Sequence, residues 1–267
     1  MLGIPNIQRR AVLCGNMSIN DIHMDKETAW KQKRLGLITA SELAALDSKS
    51  GKIGETALSY IRSKRWERNH GFSLPVSSYA MEQGHICEPY AIEWYRANYP
   101  HSKIIYAQEV PEAIPFWTNP AVPNFGASPD AFSPDEMIVV EVKNVVSNGQ
   151  REFYFDPATS FLEKKAKAWD EHGAQIVGEM LSNPKVILVR LLKYCAQIDD
   201  VLQDTDSPLA PWRGMVFEFE RRDYEASIAE MEERIKLFNA FIASGVNPSE
   251  FKKGEWYVDD NGKLCKK

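Results

Sequence analysis

The sequence lacks a cysteine pattern of the kind that forms disulfides or binds metals. Its four cysteines lie far apart along the chain and have no paired spacing; they are Cys14, Cys87, Cys195 and Cys265. We therefore expect neither a disulfide framework nor a zinc site. Scattered free cysteines are typical of a protein that works in a reducing compartment such as the cytoplasm.

The chain also lacks a long apolar run, a signal peptide, an internal repeat and a low-complexity block. These absences favour a soluble intracellular protein over a secreted or membrane-spanning one. The net charge of -5 gives no global indication of a nucleic-acid partner, although it says little about a local cleft. What is present is an ordinary globular composition, 44% hydrophobic and 26% charged over 267 residues, which suffices for a large core.

Hydrophobic periodicity predicts helices in the first part of the chain and a sheet in the second part. The predicted helices cover residues 27–34, a segment that starts at Thr39, and residues 55–68, 79–97 and 161–182. We expect Asp223 to cap a last helix, whose apolar stripe comprises Ile228, Met231, Ile235, Phe238 and Ile242. The predicted strands are SKIIYAQEV, EMIVVEVK, KVILVRLLKY and MVFEFE.

The order of these elements predicts the fold class. Because a helix crosses between the predicted strands, we expect one α/β domain with a mixed central sheet flanked by helices. The predicted domain covers residues 27–244. An N-terminal arm at residues 1–26 would precede it, and a basic C-terminal tail at residues 245–267 would follow it.

An acid and a base stand at the end of the predicted strand EMIVVEVK, where the apolar run of GASPDAFSPDEMIVVEVKN ends on Glu141 and Lys143. Alternate residues of a strand point to the same face, so these two side chains project together, while Val140 and Val142 pack on the opposite face. For this tripeptide alone, an exposed ion pair at a strand end is the simpler interpretation.

Asp130 favours a different interpretation. It follows Ser128 and Pro129 in a turn, and a turn before a strand can bring an acid back beside the strand end. Asp130 and Glu141 would then form a hard oxygen site suited to Mg²⁺, and a lysine on the same face could polarise a water. The pattern Pro129-Asp130 followed by Glu141-x-Lys143 has the form of the PD-(D/E)xK nuclease signature, which is degenerate when taken alone.

A third acid, Glu88, lies on the predicted helix at residues 79–97. It shares one helical face with Gly84, Ala91 and Tyr95, which are small or aromatic. An acid in such surroundings is either paired in a partly buried salt bridge, for example with an arginine, or bound to a metal.

The segment KRLGLITASE could seat a phosphate. Thr39 and Glu42 have the spacing of a capping box, which predicts a helix start at Thr39. A helix start offers free backbone N–H groups and a positive dipole end, and Arg34 with the Ser41 hydroxyl could complete an anion site there. A routine capped helix with an exposed arginine is the alternative.

Taken together, these segments resemble the lambda exonuclease family, the YqaJ-type viral recombinases of the PD-(D/E)xK nuclease superfamily. The matching segments, in order, are RLGLITASE (34–42), MEQGHICEPYA (81–91), GASPDAF (126–132), VVEVKN (139–144) and HGAQIVGEML (172–181). They fall within residues 27–244. Several motifs in the same order are far more specific than any one of them.

The resemblance implies a restriction-endonuclease-like core and a Mg²⁺-dependent exonuclease, with Mn²⁺ able to substitute. Such enzymes degrade one strand of linear double-stranded DNA from the 5′ end and leave a 3′ single strand. The resemblance further implies a single-strand annealing protein as partner, a trimeric ring as assembly, and a cytoplasmic role in the bacterial host of a phage or prophage. Segments near residues 143–175 and 199–206 are longer than in the family's best-known member, which bears on the ring more than on catalysis.

The resemblance also implies roles for individual residues. Asp130 and Glu141 would bind the metal, together with the backbone carbonyl of Val142. Lys143 would orient or activate the attacking water. Glu88 would serve a second metal or its waters.

Further roles concern the phosphate and the DNA. Gln175 would touch the water or the phosphate, and the residues that would receive the 5′ phosphate are Arg34, Ser41 and Ser128. Arg62 and Arg65 belong to a basic run that is either a solvated helix end or a DNA contact. His172 could reach the site, although a packed histidine is the more ordinary interpretation. The tryptophans expected in the core are Trp66, Trp94, Trp117 and Trp169, although one aromatic residue could split the duplex.

Other functions remain open on the sequence alone. A restriction-type or repair endonuclease on the same core would cut internally. A catalytically inactive DNA-end-binding protein would have no reason to keep Asp130, Glu141 and Lys143 together. A Cas4-like iron–sulfur nuclease is disfavoured, because the scattered cysteines do not form a four-cysteine cluster.

Overall fold

The structure is a computed structural model that describes residues 31–46, 54–73, 79–195, 207–250 and 254–267. The predicted arm at residues 1–26 and the acidic loop near residues 199–206 lie outside the described residues. Of the predicted helix at residues 27–34, only residues 31–34 are described, and they are helical. Among all the described residues, no helix combines the length and the apolar character needed to cross a bilayer.

The strands form a central sheet, a smaller sheet and a hairpin. In chain order they are β1 (Ile38–Thr39), β2 (Ile105–Tyr106), β3 (Trp117–Thr118), β4 (Phe125–Ala127), β5 (Ala131–Ser133), β6 (Ile138–Asn144), β7 (Leu188–Tyr194), β8 (Gly214–Glu220), β9 (Trp256–Val258) and β10 (Leu264–Lys266). The central sheet has the order β2-β5-β6-β7-β8, with β6 and β7 parallel and the other pairs antiparallel. The smaller sheet has the order β1-β4-β3, and β9 pairs with β10.

Helices cover both faces of the central sheet. In chain order the α-helices are α1 (Glu55–His70), α2 (Tyr79–Asn98), α3 (Asn148–Phe155), α4 (Phe161–Ser182) and α5 (Glu225–Ser244). Of these, α2 and α4 pack on opposite faces of the sheet. A capping box at Ser160 and Glu163 starts α4, and the crossover through α3 and α4 makes β6 and β7 parallel. The mixed α/β class predicted from the sequence is confirmed.

The alternation along β6 divides the core into two parts. Val139 belongs to the larger cluster, which contains residues of α4 and α5, whereas Val140 and Val142 pack into a second cluster with Ala91 and Ile92 of α2. The predicted stripe of α5 is buried in the larger cluster. The central strand is therefore covered on both faces, as its continuous apolar run predicted.

A helical segment begins one residue after the predicted start at Thr39, but it is a 3₁₀ helix. Thr39 ends β1, which pairs in parallel with β4, and the segment Ala40–Leu46 that follows is a 3₁₀ helix. The Thr39 hydroxyl donates to Glu42 Oε2 over 2.7 Å, so the two residues of the predicted capping box do meet. Strand pairing with a segment far along the chain takes Thr39 itself into β1, and the helical segment starts after it.

Four further elements differ from the sequence predictions. The strand SKIIYAQEV is limited to β2, and α3 was not predicted. Asp223 does not cap α5, because it lies in a 3₁₀ turn and Tyr224 occupies the capping position. Residues 254–267, where no element was predicted, include the hairpin β9–β10, whose Trp256 ring meets Phe241 of α5 at a centroid distance of 5.4 Å.

Gly126 of β4 is expected to tolerate no side chain. A Cβ atom there would lie 2.3 Å from Cε1 of Phe116 and 2.4 Å from the carbonyl oxygen of Trp117. We expect Gly126→Ala to lower the free energy of unfolding by about 1–3 kcal/mol, the usual effect of overpacking. Gly149→Ala is the matched control, because a Cβ at this position of α3 meets no atom within 4 Å. It should be neutral or stabilise by up to about 1 kcal/mol. Denaturant unfolding of both variants measures the difference, and equal effects would contradict the packing argument.

Candidate active site

Glu141 and Lys143 project from one face of β6. Glu141 is only 2% exposed, whereas the Lys143 side chain is 27% exposed. Lys143 Nζ donates to Glu141 Oε1 over 2.7 Å. The simpler interpretation, an exposed ion pair, is therefore wrong: the carboxylate is buried and the lysine reaches the surface.

Asp130 returns to β6 as its turn predicted. It lies between β4 and β5, and β5 pairs antiparallel with β6. Asp130 Oδ2 accepts a hydrogen bond of 2.8 Å from the backbone N–H of Val142. The backbone segment between Glu141 and Lys143 thus anchors the second carboxylate of the predicted pair.

Helix α4 adds Gln175 and a residue that the sequence analysis missed, Glu179. The Gln175 side-chain amide donates to Glu141 Oε1 over 2.5 Å and to Glu179 Oε1 over 3.3 Å. Glu179 is 1% exposed, so it is as deeply buried as the surrounding apolar residues of α4. Its signal in the sequence was the spacing of four residues from Gln175, which places both side chains on one helical face.

Glu88 of α2 completes the group of acids. Its Oε1 accepts from Gln108 Nε2 over 3.0 Å, so a glutamine takes the place of the arginine partner considered above. Asn144 at the end of β6 donates to the carbonyl of Gly84, which ties α2 to the same strand end. Burial raises the pKa of Glu88, and the charge of Glu141 raises it further.

Burial and repulsion between carboxylates dominate the electrostatics of the site. Burial, followed by the charge of Glu141, raises the pKa of both Asp130 and Glu179 well above their ordinary values. Burial opposes the charge of Lys143, but Glu141 and Asp130 outweigh it and raise the pKa of the ammonium. Lys143 is therefore charged at neutral pH, whereas the buried acids compete for protons or for a cation.

The side chains fit a hard divalent cation. Glu141 Oε2 and Glu179 Oε2 are buried and have no hydrogen-bond partner within the described residues. Three acids act electrostatically on Lys143, namely Asp130, Glu141 and Glu179, and Glu88 acts in turn on Asp130. Carboxylate oxygens in excess of cations suit Mg²⁺, which keeps several waters and needs few protein ligands. In the described part of the chain, no group of three or more His, Cys, Asp or Glu side chains is arranged to hold a metal ion, so a cation here would rely on few carboxylates and on waters.

Arg34 meets Ser41, as the phosphate-seat hypothesis predicted. Its guanidinium donates to Thr39 Oγ1 and to Ser41 Oγ, each over 3.1 Å. Burial lowers the pKa of Arg34, and the charge of Glu141 acts in the opposite direction, so the two groups lie within electrostatic range. The 3₁₀ helix Ala40–Leu46 is too short to present an α-helical dipole. Any anion binding here would depend on the side chains.

Ser128 connects the phosphate seat with the carboxylates. It follows β4, whose Gly126 is the Cα partner of Thr39 in β1, and it precedes Asp130 by two residues. Its hydroxyl is buried and has no hydrogen-bond partner among the described residues. A buried unsatisfied hydroxyl calls for a ligand or a water, and the role of Ser128 in phosphate binding stays a prediction.

The basic run on α1 serves mainly structural contacts. Arg65 donates to the carbonyl oxygens of Phe241 and Ile242 in the last turn of α5, over 2.5 and 3.2 Å. Arg68 donates to the carbonyl of Gly36 over 2.8 Å. Arg62 and Arg65 are the two arginines for which a DNA contact was considered. Arg62 is exposed to solvent, whereas Arg65 is held by α5.

The tryptophans divide into two groups. Trp94 is 4% exposed and lies in the core as predicted, and Trp117 and Trp169 are partly buried against the core. The prediction for Trp66 is wrong, because it is 42% exposed and stacks on His70 at a centroid distance of 3.7 Å. Helix α1 uses its other face, with Ile61 and Lys64, for packing.

Comparison with known proteins identifies similar solved structures, whereas no protein-family model and no curated protein matches the chain. An alkaline exonuclease, LHK-Exo from Laribacter hongkongensis, is 21% identical with a TM-score of 0.59, over 81% of this chain and 92% of that chain. Its complex with dAMP is 23% identical with the same TM-score and coverage. A phage related exonuclease from Haemophilus somnus 129PT is 16% identical with a TM-score of 0.55, over 78% of this chain and 96% of that chain.

These similarities establish the fold. The chain has the α/β fold of the alkaline and phage-related exonucleases, which confirms the core predicted from its motifs. The likeness covers more than nine tenths of each similar structure, so it extends over the fold and is not limited to a single motif.

The two arginines of α1 are expected to behave differently when replaced. Arg65→Ala removes both hydrogen bonds to the end of α5, so we expect a loss of about 1–3 kcal/mol in the free energy of unfolding. Arg62→Ala, the matched control on the same helix, should change stability by less than about 0.5 kcal/mol. Thermal unfolding of the two variants decides the point. A stable Arg65→Ala variant with weakened DNA binding would instead favour the DNA contact.

Proposed function

We propose that the protein is a Mg²⁺-dependent exonuclease that degrades linear double-stranded DNA in the 5′-to-3′ direction and leaves 3′ single strands. The single observation that carries the proposal is the convergence of Asp130, Glu141, Lys143 and Gln175 at the end of β6. The fold shared with alkaline and phage-related exonucleases supports it. So does the dAMP bound to one of these exonucleases, since a deoxynucleoside monophosphate is what an exonuclease releases.

The proposed metal site consists of Asp130, Glu141 and the backbone carbonyl of Val142, with Glu88 toward a second metal or its waters. When bound, Mg²⁺ would supply Lewis-acid polarisation of the phosphate and a water of lowered pKa. Asp130 is held by the N–H of Val142, and Glu141 by Gln175 and Lys143, so both carboxylates are oriented before any substrate arrives. Such preorganisation reduces the reorganisation needed during the reaction.

Lys143 and Gln175 act on the water and the phosphate in this proposal. Because the pKa of Lys143 is raised, the ammonium donates hydrogen bonds and stabilises negative charge instead of accepting a proton. The two carboxylates that face the Gln175 side chain take its N–H donors. Its carbonyl oxygen is then the atom left to accept a hydrogen bond from the attacking water.

The direction of degradation is proposed from the phosphate seat. Arg34, Ser41 and Ser128 would receive a 5′ phosphate beside the carboxylates, which places the 5′-terminal nucleotide at the site of hydrolysis. From the family resemblance we further propose a ring-shaped trimer, a single-strand annealing partner, and a role in phage-type recombination in the cytoplasm of a bacterial host.

An endonuclease of the restriction or repair type is the second candidate, because the same PD-(D/E)xK core serves both reactions. Incubation of linear and covalently closed circular duplexes with Mg²⁺ separates the two. The proposed exonuclease degrades the linear DNA to mononucleotides or short products and leaves the closed circle intact. Linearised or fragmented circles would establish internal cutting, and inertness towards both substrates would leave only end binding.

Replacement of the site residues tests the chemistry. We expect Asp130→Ala to abolish cleavage and weaken Mg²⁺ binding, because it removes one of two metal carboxylates. Lys143→Ala should lower kcat by about 10²–10³-fold while DNA binding persists, because the ammonium acts on charge that develops in the transition state. Mg²⁺-dependent kinetics and a DNA-binding titration measure both effects.

Matched controls are Asp135→Ala and Lys103→Ala, which replace exposed residues of the same types. Both should retain the parental rate. If Asp130→Ala or Lys143→Ala also retained it, the proposed site would be misplaced.

Arg34→Ala tests the phosphate seat. The parent protein should prefer a 5′-phosphorylated duplex over a 5′-hydroxyl duplex by about 10–100-fold, the usual contribution of hydrogen bonds to a charged group. Arg34→Ala should remove most of this preference and slow phosphorylated ends far more than hydroxyl ends. Arg222→Ala, which replaces an arginine with a 78% exposed side chain, is the control and should keep the preference. Equal slowing of both ends by Arg34→Ala would refute the seat.

A further inference from the structure

A buried lysine lies beside the proposed site and is not needed by the reaction described above. Lys193 is 2% exposed and is the Cα partner of Lys143 on the neighbouring parallel strand β7. Paired residues of parallel strands project to the same face, so Lys193 lies next to the catalytic lysine. Burying a charge without partners costs much free energy, so Lys193 must have partners. The contacts with these partners indicate the role of Lys193.

Three side chains surround this ammonium, and we name Lys193, Glu171, His172 and Tyr154 the Lys193 cluster. Lys193 Nζ donates to Glu171 Oε2 over 2.8 Å and lies 2.7 Å from His172 Nε2. It also lies 4.6 Å from the centroid of the Tyr154 ring, and the Tyr154 hydroxyl donates to Glu171 Oε2 over 2.8 Å. Burial lowers the pKa of Lys193, whereas the Glu171 carboxylate and the aromatic face stabilise its charged form.

The cluster determines the protonation state of His172. An ammonium has three donors and no acceptor, so the contact of 2.7 Å requires His172 Nε2 to be the acceptor. An imidazole that accepts at Nε2 is neutral and carries its proton on Nδ1. Burial, followed by the charges of Lys193 and Lys143, lowers the pKa of His172 to about 3, in agreement with this geometry.

His172 faces the same side of α4 as the site residues. Residues 172, 175 and 179 are spaced by three and four, so His172, Gln175 and Glu179 share one helical face towards β6 and β7. The imidazole is 20% exposed, in contrast to Lys193 beneath it. No described residue accepts a hydrogen bond from Nδ1, so this N–H is open to a ligand at the site.

We propose that the Nδ1–H of His172 donates a hydrogen bond to a phosphate oxygen of the bound DNA strand, and that Lys193 is the positioning residue that fixes this tautomer. The DNA contact rests on the proposed nuclease function, whereas the tautomer does not. A neutral donor next to Lys143 adds a directed hydrogen bond that stays constant over the working pH range. The proposal excludes His172 as the general acid of the reaction.

Nitrogen NMR of the full chain with ¹⁵N-labelled histidine tests the tautomer without reference to activity. The signals of His172 are those that His172→Asn removes. We expect the Nδ1–H tautomer and no titration from pH 5 to pH 8. The Nε2–H tautomer, or a titration midpoint within this range, would overturn the proposal.

A pair of amide variants separates the DNA contact from packing against Lys193. His172→Asn keeps a donor near the position of Nδ1 and loses the acceptor for Lys193, whereas His172→Gln keeps an acceptor near Nε2 and loses the Nδ1 donor. If the donor binds substrate, His172→Gln should lower kcat/KM by about 10–100-fold. His172→Asn should retain clearly more activity, and the exposed control His101→Asn should equal the parent.

The reverse order, with His172→Gln the more active variant, would show a packing role and refute the contact.

Lys193→Met combined with Glu171→Gln removes both charges of the pair, so that neither is left buried alone. In that protein Nε2 of His172 has lost the ammonium that fixes it as the acceptor, so the NMR signals should show a mixture of the Nδ1–H and Nε2–H tautomers. An unchanged pure Nδ1–H tautomer would refute the positioning role of Lys193. If the parent protein cleaves no DNA, the proposed function fails, and the NMR result still decides the tautomer.

Discussion

Glu141 places a carboxyl group in the interior of the central sheet, and much of the surrounding structure compensates for its burial. Its carboxylate receives hydrogen bonds from Lys143 on its own strand and from Gln175 on α4. The Asp130 turn binds the N–H of the next residue, Val142. A buried charge is tolerated only when such partners are in place, so β6, α4 and the Asp130 turn must hold one mutual arrangement.

The same constraint explains why the site favours a cation. Lys143 neutralises one carboxylate, and Asp130 and Glu179 have their pKa raised well above the ordinary values by burial and by Glu141. A group of acids in this state takes up either protons or a metal. Glu179 enlarges the excess of acid although it stands outside the predicted metal pair. Glu179 also accepts a hydrogen bond from Gln175 and so helps to orient the amide that faces Glu141.

The positive charges near the site are similarly divided between structure and chemistry. On α1, Lys64 pairs with Glu67 and Glu42 over 3.2 and 3.3 Å, and Glu67 accepts the backbone N–H of Gly36. These buried contacts hold the segment that carries Arg34. Lys64 and Arg68 of the basic run thus hold the segment that carries Arg34, whereas Arg65 holds the end of α5.

The sequence by itself determined the long elements and the identity of the central residues. Strand alternation placed Glu141 and Lys143 on one face, and the apolar runs of β6 and β7 predicted burial on both faces, because these periodicities are local properties of the backbone. The order of the motifs indicated the exonuclease fold. The catalytic roles of Glu88, Asp130, Glu141, Lys143 and Gln175 remain predictions, although the structure brings these side chains together.

Only the tertiary structure decided what depends on partners distant in the chain. Thr39 became a strand residue because β4 pairs with it, and Arg65 became the cap of α5 because the two helices meet. Glu179 and Lys193 read as ordinary charged residues in the sequence, and their burial follows from the crossing of α4 over β6 and β7. Local patterns carry no information on which distant group will desolvate or neutralise a charge. The contacts with those distant groups are what assign such residues to the site.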